Sequence, residues 1–188
     1  MAYLYAVRCN FKRPDLEAGW NEWYGGPKLR QMLRLPLFHS CQRFAAAALD
    51  CRRKYLALWV VASPDAFTTP EYRAQWGFAD WVEHIGDWSR DLYRAPFDEF
   101  AVGPEESLYL ASFAGMDEAE ARALQARIAP RLPGVDWLDA VGLDRHSPLF
   151  GIKKLARGAV PQPIEDAPGL SETIFAPMMP RALAQGIS

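Results

Sequence analysis

Gly19-Trp20-Asn21-Glu22-Trp23-Tyr24 and, a short run later, Leu37-Phe38-His39-Ser40-Cys41-Gln42-Arg43-Phe44 decide how this chain is read. The first segment sets Trp20, Trp23 and Tyr24 three and four residues apart, which gathers aromatic rings on one side of a helix. The second reads as a strand. A helix feeding straight into a strand is half of an α+β sandwich, and the aromatics fall where helix meets sheet. Rings in that position are either core or the walls of a pocket for a flat, apolar small molecule.

Upstream, residues 3–10 read as a strand with Tyr3, Tyr5 and Val7 on one face and Leu4 and Ala6 on the other. Both faces are apolar, so both are expected to be covered. Pro14 and Asp15 then signal a helix start. Gly25-Gly26-Pro27 is expected to break or kink that helix, with a further turn through Leu29, Met32 and Leu33. Downstream, residues 37–46 and 54–62 are predicted strands, the latter apolar on both faces as a central strand would be. Thr69-Pro70-Glu71 opens a predicted helical region to about residue 93, and residues 107–113 form the predicted fourth strand. This order, β-α-β-β-α-β, is ferredoxin-like. A helix over 117–130 and strands over 137–143 and 149–155 follow, a weak second repeat or a sheet extension. The implied organisation is a ferredoxin-like domain over residues 1–113, a partial second repeat over 107–157 that shares the strand near 107–113, and a Pro-rich tail over 158–188. The tail carries five prolines and little periodicity, so it is expected to wrap the surface or be partly disordered.

Bulk composition narrows the partners. The 188 residues are 50% hydrophobic and include seven Trp, which suits a thick core or a ligand surface. A net charge of -2 without basic runs argues against nucleic acid or an anionic membrane. Three cysteines without a CxxC pair point away from a disulfide framework and toward a reducing compartment, the cytoplasm. The start lacks the pattern of a signal peptide, and the longest apolar run, residues 55–62, is far too short to span a membrane.

Four segments carry a resemblance. Asn21-Glu22-Trp23-Tyr24, Arg43-Phe44, Tyr55-Leu56-Ala57-Leu58 and Pro70-Glu71-Tyr72-Arg73 occur in an order that resembles the EthD-like branch of the dimeric α/β-barrel superfamily, over about residues 2–112. The resemblance implies an antiparallel four-stranded sheet with two helices on one face and a second subunit closing a barrel on the other, hence a homodimer. It implies a pocket between helices and sheet, and activities that include cofactor-independent oxygenases, isomerases, cyclases, lyases, decarboxylases and haem enzymes. The family often places acidic residues and a His after the Trp-Tyr pair. Here Gly25-Gly26-Pro27 stands there, so that acid–base role is not carried over.

Candidate chemistry then rests on few groups. His39 shares a strand face with Cys41 and Arg43, so His39 could act as base beside Arg43 as anion holder, or all three could line a solvated edge. His84, with Trp81 at i−3 and Trp88 at i+4 of a helix, could face the pocket, ligate haem iron, or sit on the surface. His146 reads as a turn residue. The hydroxyls of Tyr5 and Tyr24 could hold or protonate an oxyanion. Trp20, Trp23, Trp59, Trp76, Trp81 and Trp88 are either pocket walls or core, and Cys41 is read as inert. No GxGxxG, P-loop, HExxH or GxSxG motif occurs. The sequence therefore points to a cofactor-independent enzyme moving protons on an aromatic or polyketide-like ligand, such as an isomerase, cyclase, lyase or decarboxylase. The alternatives are a non-catalytic ligand-binding or stress-response protein and, third, a haem enzyme. No metal site is expected.

Overall fold

A computed structural model describes residues 2–184. Its strands are β1 (Tyr3–Phe11), β2 (Phe38–Leu49), β3 (Tyr55–Val61), β4 (Ile85–Arg94), β5 (Glu106–Ser112), β6 (Asp136–Leu143), β7 (Leu149–Ala156), β8 (Ser171–Pro177) and β9 (Ala182–Leu183). The α-helices are α1 (Glu17–Trp23), α2 (Leu29–Met32), α3 (Pro70–Gln75) and α4 (Glu118–Ile128). The strands run in the order β3-β1-β4-β6-β7-β5-β8-β2, and β2 pairs back to β3, so eight antiparallel strands close into a barrel. The short β9 adds to the start of β2.

Within β1–β4 the spatial order is β2-β3-β1-β4, and within β5–β8 it is β6-β7-β5-β8, the same order on two successive sets of four strands. The seams are β4–β6 and β8–β2. Both halves of the barrel therefore come from one polypeptide, and closure uses no second subunit.

Strand alternation explains the three apolar clusters. Leu4 and Ala6 of β1 point into the barrel with Phe44, Leu56, Tyr93, Leu108, Phe150 and Phe175. Tyr5, Val7 and Cys9 point out, under α1, α2 and α3. The outer face of the second half is covered by α4 and the loop before β8, through Ala121, Leu124, Ile128 and Ile164. Tyr93 from the first half stacks on Phe150 from the second at 4.6 Å, tying the halves together inside the barrel.

Several sequence expectations change. The helix expected over residues 69–93 stops at Gln75, because Trp76 turns extended and Gly77 takes φ +93, a left-handed conformation suited to glycine. A 3-10 turn, Ala79–His84, leads into β4, which pairs with β1 along its length. β4 is thus the fourth strand of the first half. The strand expected at 107–113 is β5, the first of the second half, and is not shared. The supposed tail from residue 158 supplies β8, a central strand between β5 and β2 whose Thr173, Ile174 and Phe175 are buried. Its prolines lie in the connecting loop and at the ends of the strand, where no ladder N–H is lost. Finally, Gly25-Gly26-Pro27 does not end the first helix. Tyr24–Lys28 forms a π-helical turn that joins α1 to α2 without a break.

Ending the chain at Gly169 should abolish cooperative unfolding in denaturant titrations, since it removes a central strand; a dispensable tail would leave the transition unchanged. Phe175→Ala, at 1% exposure, should cost about 3–5 kcal/mol in the same measurement.

Candidate functional site

The π-helical turn sets the site. Trp20, Tyr24 and Lys28 succeed each other at intervals of four and are all buried against the outer face of the first half-sheet. Trp20 lies between Phe11 (4.9 Å) and Tyr24 (5.7 Å), both nearly parallel to it. Gly25 lies beside Arg43, and a Cβ there would sit 3.4 Å from Arg43 Nη1, about van der Waals contact.

A small pocket of about 30 Å³ opens between this helix, the sheet and the segment after α3. Tyr5 and Trp59 form its base on the sheet, Tyr24 and Lys28 its helix wall, and Trp76, Phe78 and Trp88 its rim, with Arg90 at the mouth. Trp76 and Trp88 are exposed at 45% and 43%, so the rim faces solvent. Arg90 lies over Trp76 at 4.5 Å and donates weakly to the Tyr72 hydroxyl at 3.4 Å, which in turn touches the Tyr5 hydroxyl at 3.4 Å. The buried indole N–H of Trp59 lies near the Tyr24 hydroxyl without reaching good hydrogen-bond geometry.

Lys28 is the exceptional group. It is 5% exposed, its Nζ donates to the Gln75 carbonyl at 2.5 Å, and among the described residues no carboxylate pairs with it. Burial lowers its pKa from 10.5 to about 8. Burial likewise pushes the Tyr5 and Tyr24 hydroxyls up, so both stay protonated and act as donors. Arg43 sits one layer further in, its guanidinium over Tyr24 at 4.4 Å and Trp20 at 5.0 Å. Two bonds to Asn21, at 3.0 and 2.7 Å, hold it, and burial lowers its pKa.

Of the residues singled out from sequence, Tyr5, Tyr24, Trp59, Trp76 and Trp88 meet in this pocket, with Arg43 behind Tyr24. Others lie elsewhere. His39 is exposed at a register shift between Phe38 and Ser40, so it does not share a face with the buried Cys41 and Arg43 as a regular strand would require. His84 ends a 3-10 turn rather than lying within an α-helix, with its ring against Phe11 and Trp81, and does not line the pocket. Trp20 is core, and Trp23 packs on Tyr24 and Trp81 away from the pocket lining. Lys28 and Arg90 were not anticipated. The signal for Lys28 was its fourth-residue spacing from Trp20 and Tyr24, hidden by Gly-Gly-Pro; Arg90 was hidden because β4 read as a helix.

No His lines this pocket, and among the described residues no three His, Cys, Asp or Glu side chains converge as metal ligands. The pocket thus offers no imidazole for a haem iron, and no step is derived through haem. No helix among the described residues is long and apolar enough to cross a membrane.

Removing the buried charge gives a stability test. A lysine whose pKa is lower folded than unfolded destabilises the fold below pH 8, and that penalty fades as pH rises from about 8 toward 10.5. Lys28→Met should therefore be more stable than wild type at pH 7, by up to about 3 kcal/mol, with the difference shrinking toward pH 10 in urea titrations.

No family model and no curated protein matches the chain. Solved structures do. An anthrone oxidase-like protein aligns at TM-score 0.64 and 9% identity, covering 98% of this chain and 94% of that one. A monooxygenase-like protein from Lactobacillus acidophilus NCFM aligns at TM-score 0.54 and 8% identity, covering 98% and 100%. A third, monooxygenase-like and from Fusobacterium nucleatum, aligns at 0.51 and 10%, covering 95% and 94%. Likeness over nearly the whole of each chain, together with the closed eight-stranded sheet, shows that this chain has the dimeric α/β-barrel fold.

Proposed function

We propose that the chain is an enzyme of the EthD-like kind that moves a proton on a planar, apolar, aromatic or polyketide-like compound without an organic cofactor. The observation that carries this is Lys28: a buried amine, unpaired with any carboxylate among the described residues, in an aromatic pocket. With its pKa near 8 it is substantially neutral at slightly alkaline pH, which suits a general base. Its free amine removes a proton from an acidic C–H or O–H of the substrate. Arg90 and the Tyr5 hydroxyl, both backed by the Tyr72 hydroxyl, hold the resulting oxyanion, and the Trp59 N–H supplies a further donor. Return of the proton from Lys28 to another carbon completes an isomerisation; to the oxygen of a carbonyl that the carbanion has attacked, a cyclisation; and to a departing hydroxyl, an elimination of water. Oxidation of an anthrone-type compound, as the name of the first structural relative suggests, would begin with the same step, since loss of a proton leaves an electron-rich anion able to react with dioxygen.

The pocket holds about one water molecule's worth of space, so a ring must displace the rim. Gly77, left-handed and with nothing within 4 Å of where its Cβ would be, gives the Trp76–Phe78 segment room to move outward. We also read the chain as two ferredoxin-like units divided between β4 and β5, the second with loop 157–170 in place of its second helix, which the matching strand orders support. Free Cys9, Cys41 and Cys51 agree with a cytoplasmic setting.

The test uses anthrone and hydroxylated polycyclic aromatics, in air and without oxygen. Binding should quench tryptophan fluorescence, and kcat/KM should rise as pH passes about 8. Lys28→Met and Lys28→Arg should each lower kcat by about 100-fold or more, because neither offers a base, while His39→Ala and His84→Ala keep full activity. Turnover unaffected in Lys28→Met would overturn the assignment. Binding without turnover in the wild type would favour a ligand-binding protein.

A further inference from the structure

The barrel interior is apolar at one end and polar at the other. Along β1 the inward positions run Leu4, Ala6, Arg8; along β4 from its far end, Tyr93, Asp91, Ser89; along β5, Leu108, Leu110, Ser112; and along β8 from its far end, Phe175, Thr173, Ser171. The polar residues meet beneath the β2–β3 and β6–β7 hairpins around a cavity of about 250 Å³. Two guanidiniums converge there. Arg8, 4% exposed, spends Nη1 on Ser112 Oγ at 3.0 Å, but its Nε and Nη2 make no hydrogen bond. Arg53, half-buried on the β2–β3 hairpin, donates to Ser89 Oγ at 3.0 Å and to His146 Nε2 at 2.7 Å. His146 must be the acceptor, since a guanidinium has no lone pair to offer, and burial with the two arginines keeps its pKa low.

Carboxylates share this end of the barrel, Asp50 and Asp87 in the cavity lining and Asp91 beside Arg8, and each has partners of its own. Asp50 is taken by Arg52 at 2.6–3.0 Å and by Ser171 at 2.8 Å. Asp87 accepts from the Asn10 amide at 3.2 Å. Asp91 accepts the His146 backbone N–H at 2.6 Å on Oδ1, and its Oδ2 forms a loose buried ion pair with Arg8 Nη2 at 3.5 Å, without hydrogen-bond geometry. Among the described residues no carboxylate forms an ion pair with Arg53; Arg8 disfavours its charge, and Asp87 and Asp91 favour it from a distance. Holding two guanidiniums with spare donors here, with one loose carboxylate contact, is costly and the closed barrel does not require it, since its other end is filled by hydrocarbon.

We propose that this end of the barrel is a binding site for a small oxyanion, carboxylate or phosphate, gripped between Arg8 and Arg53. Charge-assisted, two-point contacts of this kind are what arginine donors are shaped for. Leu110 and Phe175 offer an apolar wall for the carbon skeleton that carries the anion. The site lies inside the barrel, on the opposite face of β1 from the Lys28 pocket, and does not depend on the function proposed for that pocket.

Thermal unfolding and calorimetric titration with sodium phosphate and with sodium malonate, each against sodium chloride at equal ionic strength, test this. The wild type should gain Tm and bind one of the two anions, the preferred one distinguishing phosphate from carboxylate ligands. Arg53→Gln, at a half-exposed position the fold tolerates, should weaken binding about tenfold or more, as should Arg8→Met if it folds. Lys28→Met should bind as the wild type does. Equal responses to chloride and to both anions, no response to either, or unweakened binding by Arg53→Gln would overturn the proposal.

Discussion

Everything in this molecule depends on covering a sheet that is apolar on both sides. Leu4, Phe44, Leu56 and Leu58 crowd one face of the first four strands, while Tyr5, Val7, Cys41 and Trp59 crowd the other. A sheet of that kind exposes two hydrophobic faces and two unpaired edges until something meets both. Helices α1–α3 cover one face. Strands β5–β8 cover the other and pair with both edges at once, through β4–β6 and β8–β2. Burial and hydrogen bonding are satisfied together, which makes β8 indispensable although its surroundings are rich in proline.

Closure also creates two environments of opposite character. Outside the barrel wall, under the helices, aromatic rings surround one lysine amine. Inside, at one end, arginine donors surround a polar cavity. Adjacent residues of one strand serve both: Val7 faces the helix-side pocket and Arg8 the barrel interior. A change in register at β1 would exchange the two, so the pairing of β1 with β3 and β4 holds both sites in place.

Much of the architecture was legible. Two-sided apolar strands, the helix through Trp20 and Tyr24, and the ordered segments resembling the barrel superfamily were local features, and local features survive in sequence. Errors arose where tertiary pairing overrode local pattern. Residues 85–94 looked helical because Trp76, Trp81 and Trp88 are spaced compatibly with a helix, yet β1 claims them as a strand partner. The region after residue 158 looked unstructured because its strand is short and flanked by prolines. Of the residues singled out from sequence, Tyr5, Tyr24, Trp59, Trp76 and Trp88 line the helix-side pocket. Lys28 was not singled out, because Gly25-Gly26-Pro27 suggests a helix end and only packing against the sheet carries the helix through as a π-turn.

The sequence by itself determined the α+β class, the apolar faces, the aromatic wealth of the helix–sheet interface and the absence of nucleotide, zinc-protease and serine-hydrolase motifs. Those follow from periodicity and composition, which need no partner. Only the tertiary structure decided that one chain closes its own barrel, that His39 lies exposed, that Lys28 and Arg8 are buried, and that Arg53 is half-buried beside Arg8. These are matters of long-range pairing and desolvation: a lysine is an ordinary surface cation until the fold removes it from water, and no local pattern states which side of a wall it will face.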